Sequence, residues 1–205
     1  MHIVEYLYIA PFSAESLFLG YTNGFFPMFT PDSGQIEWYS PDPRAVFPLD
    51  GIMVSKSLRQ TFRKRHFRFT INADFETVIQ RCGERPDCWI SDEINEAYTE
   101  FHRQCYAHSV ETWLEGRLAG GLYGVTLGRV FFGESMFSLE RDASKVALKR
   151  LAEACLARGV DLIDCQVASE HLGSLGAREI PRREFVARLQ SAIPDLEPPA
   201  AWRET

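Results

Sequence analysis

Residues 107–137 read AHSVETWLEGRLAGGLYGVTLGRVFFGESMF, and their pattern decides the fold. Three apolar-rich runs, AHSVETWL, LAGGLYGVTL and VFFGESMF, are parted only by Glu115-Gly116-Arg117 and Gly128-Arg129. Breaks that short, each carrying a glycine, join neighbouring strands as hairpins. The stretch therefore predicts a three-stranded antiparallel meander. Beyond it, Asp142 stands where it can cap a helix running to Ala157, with Gly159 just past the end. The next run, VDLIDCQV at 160–167, is an apolar strand. A strand reached through a helix returns parallel to its sheet neighbour.

The flanks extend this reading. AVFPL at 45–49 is a short strand, and Ser55 to Arg65 a helix with Leu58 and Phe62 on one face. Phe67 to Ile71 alternates as a strand. Asp74 to Cys82 is a helix with the stripe Phe75, Val78, Ile79, Cys82, and another helix after Ser91 carries Ile94, Ala97, Tyr98 and Phe101. Ser169 to Leu175 is a short helix, and Pro181 opens a last one. Residues 1–47 are different: they hold 11 of the 26 aromatic residues and are punctuated by Asn23-Gly24, Ser33-Gly34 and Pro41-Asp42-Pro43. Such a segment cannot build its own core, so its rings should pack against the larger domain C-terminal to it. The expected class is α/β: a mixed sheet with helices on both faces over 48–205, preceded by a small aromatic-rich domain over 1–47. The element order fits a GNAT-like acyltransferase domain, though a fold does not name a reaction.

Composition removes other classes. At 205 residues, 45% hydrophobic and 24% charged, the chain is an ordinary folded domain, not a disordered or fibrous one. No apolar run reaches the ~18 residues of a membrane span. The first residues lack a basic, apolar, small-residue leader pattern. We expect a cytoplasmic location and no membrane partner. The five cysteines are odd in number and scattered, and no spacing resembles a structural zinc pair, so we expect no disulfide framework and no metal.

Four features bear on chemistry. Asp164 and Gln166 alternate on one face of an apolar strand, with Cys165 opposite. A carboxylate there needs partners or a task, and desolvation would raise its pKa toward that of a base. It is either that base or a structural Asp bonded to backbone amides. Cys165 faces away from these helpers and is a poor nucleophile candidate. Glu134 is a second carboxylate in an apolar strand, beside Gly133, which signals a bulge or close backbone approach. Phe131 and Met136 could line an apolar pocket there. Third, Lys56, Arg59, Arg63, Lys64, Arg65 and Arg68 crowd into 56–68 with no acid, leaving the rest of the chain at −12. This is either a solvated helix face or a contact for phosphates. Fourth, residues 138–145, where a GNAT fold would place a glycine-rich pyrophosphate loop, hold no glycine and two acids, so coenzyme A is not the expected donor.

Taken together, the motifs FFGESMFS, LIDCQV, HLGSLGA and IPRREF resemble the leucyl/phenylalanyl-tRNA–protein transferase family. So do YTNGFFPM, EWYSPDPRAVF, SKSLRQTFRK, TINADFETVI, WISDEINEAY and AHSVETW. The resemblance runs from about Leu17 to Phe185. It implies transfer of Leu or Phe, and less well Met, from the acceptor end of aminoacyl-tRNA to proteins with N-terminal Arg or Lys, which marks them for degradation through the N-degron pathway. It implies no cofactor. It assigns Asp164 and Gln166 as the catalytic pair and places Glu134 near the aminoacyl end. Phe131, Gly133, Ser135, Met136 and Trp89 match the family's aminoacyl pocket, and the stretch Lys56, Arg59, Arg63, Lys64, Arg65 matches its tRNA-contacting surface.

Two departures stand out. The chain reaches YTNGFFPM by Tyr21, without the Pro- and Gly-rich segment that usually precedes it, so the N-terminal domain is expected to be of a short form. Leu122 stands where Met is common and Trp38-Tyr39 where two Trp are common, which bears on pocket shape and stacking. The expected chemistry is aminolysis of the aminoacyl ester, with Asp164 polarising Gln166 and the Gln166 oxygen accepting from the amine. A tRNA ribose hydroxyl is an alternative proton shuttle. A coenzyme-A-dependent GNAT acetyltransferase and a non-catalytic tRNA-binding module remain as readings from other classes.

Overall fold

The computed structural model describes residues 2–7, 12–30, 33–49, 52–53, 55–64, 66–84, 90–193 and 202. In chain order the elements are β1 (His2–Leu7), α1 (Ala14–Thr22), β2 (Phe26–Thr30), β3 (Gln35–Asp42), β4 (Arg44–Pro48), α2 (Lys56–Lys64), β5 (Arg68–Ile71), α3 (Phe75–Gly83) and α4 (Asp92–Arg103). They continue as β6 (Ala107–Leu114), β7 (Arg117–Leu127), β8 (Val130–Ser138), α5 (Ala143–Ala157), β9 (Leu162–Gln166), α6 (Glu170–Ser174), β10 (Arg178–Ile180) and α7 (Arg182–Ala192).

The meander is present: β6, β7 and β8 pair antiparallel, and β9, reached through α5, runs parallel to β8. They lie within a seven-stranded mixed sheet of order β10-β4-β9-β8-β7-β6-β5. This is the GNAT-like arrangement that the element order predicts. Asp74, Ser91 and Ser169 cap α3, α4 and α6 through their side chains, which is why those helices start there. Asp142 differs from its expected role. It sits before α5 in the left-handed region, φ 68°, and makes no cap bond. Its carboxylate instead accepts from Lys145 Nζ at 2.8 Å and Thr61 Oγ1 at 3.1 Å, tying α2 to the start of α5.

The aromatic-rich segment forms a three-stranded antiparallel sheet of order β1-β3-β2, covered by α1. Sequence reasoning misses these strands because Pro27 and the glycines look like breaks. Pro27 is tolerated because β2 is an edge strand. Leu17, Tyr21 and Trp38 share one buried cluster with Phe75, Val78, Tyr98 and Phe132 of the larger sheet and its helices. Gly20 permits this: a Cβ there would lie 1.9 Å from the Trp38 ring. The expected boundary after Phe47 falls inside β4, which enters the large sheet at Arg44. The opposite face of that sheet packs on α5, burying Phe131, Leu148, Leu151 and Ile163. Among the described residues, no helix is long and apolar enough to cross a membrane.

Candidate active site

β8 and β9 pair only from Val130↔Leu162 to Phe132↔Asp164. Beyond that point β8 continues to Ser138 along β7 and β9 to Gln166 along β4 without pairing to each other, so the two strands part. Ligands in open α/β sheets bind where parallel strands end in this way. Two irregularities fix the opening. Tyr123 pairs with Ser135 and Gly124 with Gly133, so Glu134 is the extra residue of a β-bulge. On β9, Ala45 pairs with Gln166 and Val46 with Asp164, so Cys165 is likewise extra. Gly124 makes room for the first bulge, since a Cβ there would lie 2.1 Å from the Phe132 carbonyl oxygen. The bulge that Gly133 signals is therefore real, and it re-aims Glu134.

Glu134 and Gln166 meet at the apex of the opening. Gln166 Nε2 donates to Glu134 Oε1 at 2.7 Å. The Tyr98 hydroxyl donates to Glu134 Oε2 at 2.9 Å and is itself hydrogen-bonded to the Tyr21 hydroxyl. Withdrawal from water pushes the Glu134 carboxyl up to about 8, against the hydrogen bonds of Tyr21 and Tyr98; the Asp164 charge also raises it and Arg44 lowers it. Burial, then the Glu134 charge, raises both tyrosines well above their ordinary value, so their protons stay on.

Asp164 behaves differently from the expected base. Both of its oxygens are held by Arg44, through Nε at 2.8 Å and Nη2 at 2.6 Å, with both side chains fully buried. Its Oδ1 also accepts from the Gln166 backbone N–H at 2.9 Å, not from the Gln166 side chain. That bond holds Gln166 at φ 64°, a left-handed conformation costing a non-glycine residue about 1–2 kcal/mol. Asp164 thus places Gln166 by its backbone, while Glu134 holds the side-chain amide. Arg44 also donates to the Gly24 carbonyl at 3.1 Å and lies between the Phe26 and Phe185 rings.

The apex opens into a cavity of about 250 Å³. Its apolar wall includes Phe47, Leu122, Met136, Leu148, Leu151 and Ile163, and its polar end includes Glu134, Ser135, Gln166, Ser169 and His171. Leu122 and Met136 are cross-strand partners, and Gly133 lines the cavity as well. Phe131 lies behind the wall, fully buried, its ring 5.7 Å from that of Trp202. Trp38 is in the buried cluster on the other face of the sheet, not in the cavity wall. Trp89 and Arg65 lie outside the described residues. Lys56 and Arg59 project from α2 as exposed side chains, and Arg63 and Lys64 continue the same helix. Burial and the Asp164 charge raise the Cys165 thiol well above its ordinary value, which suits it poorly as a nucleophile. At the start of α5, the Ser144 N–H is taken by Ser138 Oγ at 3.2 Å, so that helix end is closed by its own chain.

Sequence reasoning misses Arg44, Tyr21 and Tyr98. Arg44 does carry a signal: a charge at the head of the buried run Ala45-Val46-Phe47. The tyrosines count as apolar positions in a periodic pattern, although a buried tyrosine hydroxyl needs a partner.

Comparison with known proteins agrees with the geometry. The family model for leucyl/phenylalanyl-tRNA protein transferase matches residues 46–190, and the model for that family's N-terminal domain matches 10–42. A leucyl/phenylalanyl-tRNA–protein transferase of Rubrobacter xylanophilus is 53% identical over 174 residues, 84% of this chain and 91% of its own. That of Gloeobacter violaceus is 50% identical over 179 residues, 87% of this chain and 93% of its own. That of Syntrophobacter fumaroxidans is 50% identical over 196 residues, 93% of this chain and 83% of its own. Among solved structures, an aminoglycoside acetyltransferase from an uncultured soil metagenomic sample superposes on 47% of this chain and 76% of its own, at 17% identity and a TM-score of 0.35, which adds nothing to the topology. The chain belongs to the leucyl/phenylalanyl-tRNA protein transferase family, enzymes that use an aminoacyl-tRNA as donor.

Proposed function

We propose that this enzyme moves Leu or Phe, and Met less well, from the acceptor end of tRNA to the α-amine of proteins beginning with Arg or Lys, and so marks them for degradation in the cytoplasm. The observation that carries the reading is the Glu134–Gln166 pair at the apex of the β8/β9 opening, facing an apolar cavity of about 250 Å³. The cavity lies just below the roughly 300–1,000 Å³ of sites for larger ligands, which suits one apolar side chain. Leu122 and Met136 would hold that side chain, and the ester carbonyl would lie at the polar end.

The amine attacks the ester carbonyl. The new C–N bond forms, the ester C–O bond breaks, and the amine's proton ends on the leaving ribose oxygen. An α-amine has a pKa near ~7.7–8.0, so it needs orientation more than a strong base. With its Nε2 donated to Glu134, Gln166 has its Oε1 left to accept from the amine and aim the lone pair. Asp164 and Arg44 fix the backbone that presents Gln166. The basic helix α2, which carries Lys56, Arg59, Arg63 and Lys64 in its sequence, would hold tRNA phosphates without reading bases.

The test is direct. The protein is incubated with labelled Leu-tRNA and a peptide beginning with Arg, without coenzyme A. Label in the peptide supports the proposal. Label that appears only with acetyl-coenzyme A as donor, or tRNA binding without transfer, overturns it.

A further inference from the structure

We propose that Tyr21 and Tyr98 are positioning residues for the transfer: a hydroxyl chain from α1 through α4 holds the Glu134 carboxylate against the Gln166 amide, and so turns the Gln166 oxygen into the cavity. The inference rests on the transferase function proposed for this site.

Proton counting gives the chain its direction. Tyr98 has one hydroxyl proton, and it goes to Glu134 Oε2 at 2.9 Å. The Tyr21–Tyr98 bond ties the two hydroxyls together, and the Tyr21 hydroxyl also acts on Glu134. Glu134 Oε1 receives Gln166 Nε2 at 2.7 Å, so the line runs from the N-terminal domain to the apex without a gap. Both tyrosines are fully buried.

Packing alone does not call for the hydroxyls. The Tyr21 ring lies 4.8 Å from the Phe132 ring, and the Tyr98 ring stands edge-on to Tyr123 at 5.4 Å. Phenylalanine would keep these ring contacts. The groups facing Glu134 are Tyr21 on α1, Tyr98 on α4, Asp164 on β9 and Arg44 on β4, with Tyr123 on β7 against the two tyrosines. The hydroxyls and Arg44 favour the carboxylate, and Asp164 opposes it. Removing a hydroxyl should thus raise the pH at which Glu134 ionises and grips Gln166.

The experiment measures kcat against pH at saturating Leu-tRNA for the whole enzyme, Tyr98→Phe, Tyr21→Phe and the double variant. We expect the acidic limb of Tyr98→Phe to move up by about half a pH unit or more. Tyr21→Phe should move it in the same direction, and the double variant at least as far as either single change, because both hydroxyls act on Glu134. The acceptor amine contributes the same ionisation to every profile, so a shift belongs to the enzyme. KM for Leu-tRNA should stay within about twofold. Unmoved profiles overturn the inference, whether kcat falls or holds, and so does a rise in KM as the only change. If Tyr98→Phe does not fold, Tyr21→Phe carries the test. A carboxyl NMR titration of Glu134 in the resting enzyme that is the same in wild type and Tyr21→Phe overturns it independently of turnover. Wild-type enzyme that makes no product overturns the transferase reading and this inference with it.

Discussion

Glu134 carries a proton more tightly in the folded chain than out of it, and this has a measurable sign. Its carboxyl moves from an ordinary 4.5 to about 8. Between those values the folded state binds more protons than the unfolded one, so stability falls as pH rises from about 4.5 to about 8. Glu134→Gln should flatten that slope, read by urea unfolding at several pH values, and should sharply lower transfer. The Arg44–Asp164 pair has the opposite character. It is fully buried, with no water to replace a missing partner. Asp164→Ala leaves a buried guanidinium unpaired and should cost about 3–5 kcal/mol of stability. Denaturant unfolding of that variant checks it, and any loss of turnover has to be scaled to the folded fraction. Asp164 and Gln166 are visible in the sequence because polar residues interrupt an apolar strand. Their partners are not, since Arg44 is 120 residues away from Asp164 along the chain and no local pattern encodes that distance.

At the level of elements, β7 and β8 supply the wall that selects the donor. Leu122 and Met136 sit opposite each other on those strands and face the cavity with Leu148 and Leu151 of α5. A donor branched at Cβ brings one extra group toward the reacting carbonyl. A misfit of that size is worth ~1–3 kcal/mol, so Leu-tRNA should be used tens- to hundreds-fold better than Ile-tRNA in a direct comparison of kcat/KM. The helix α2 makes a separate prediction. Neutralising Arg59 and Arg63 should weaken Leu-tRNA and Phe-tRNA alike, and flatten the salt dependence by up to ~0.9 per lost duplex phosphate contact on the B-DNA scale. A Leu-adenosine ester, which has no stem, should be used as before; an equal loss with that donor would place these residues in the fold or the cavity. The helices and the meander are legible because their periodicity and turns are local. The β1–β3 sheet is not, because aromatic rings on both faces hide the period of two and Pro27 reads as a break. The bulge at Glu134 is half legible: Gly133 marks the place, but only pairing with β7 shows which residue is extra.

The whole molecule is joined at its centre by the strand that arrives early. β4 lies between β10 and β9 in the large sheet, and also continues directly from the small sheet through β3. Arg44, at its head, touches Gly24, Phe26, Asp164 and Phe185, so three distant parts of the chain meet at one side chain. Both neighbours of β4 belong to the last quarter of the sequence: β9 starts at Leu162 and β10 ends at Ile180. On the ribosome, Ala45-Val46-Phe47 therefore emerges with neither edge paired and waits for roughly a hundred more residues, on the order of ten seconds at ordinary rates of synthesis. A nascent chain halted before Leu162 should be held by chaperones that bind apolar extended segments, measured as co-purification with the stalled ribosome. One halted with Ile180 well clear of the exit tunnel should not be, because by then the strand has been closed from both sides.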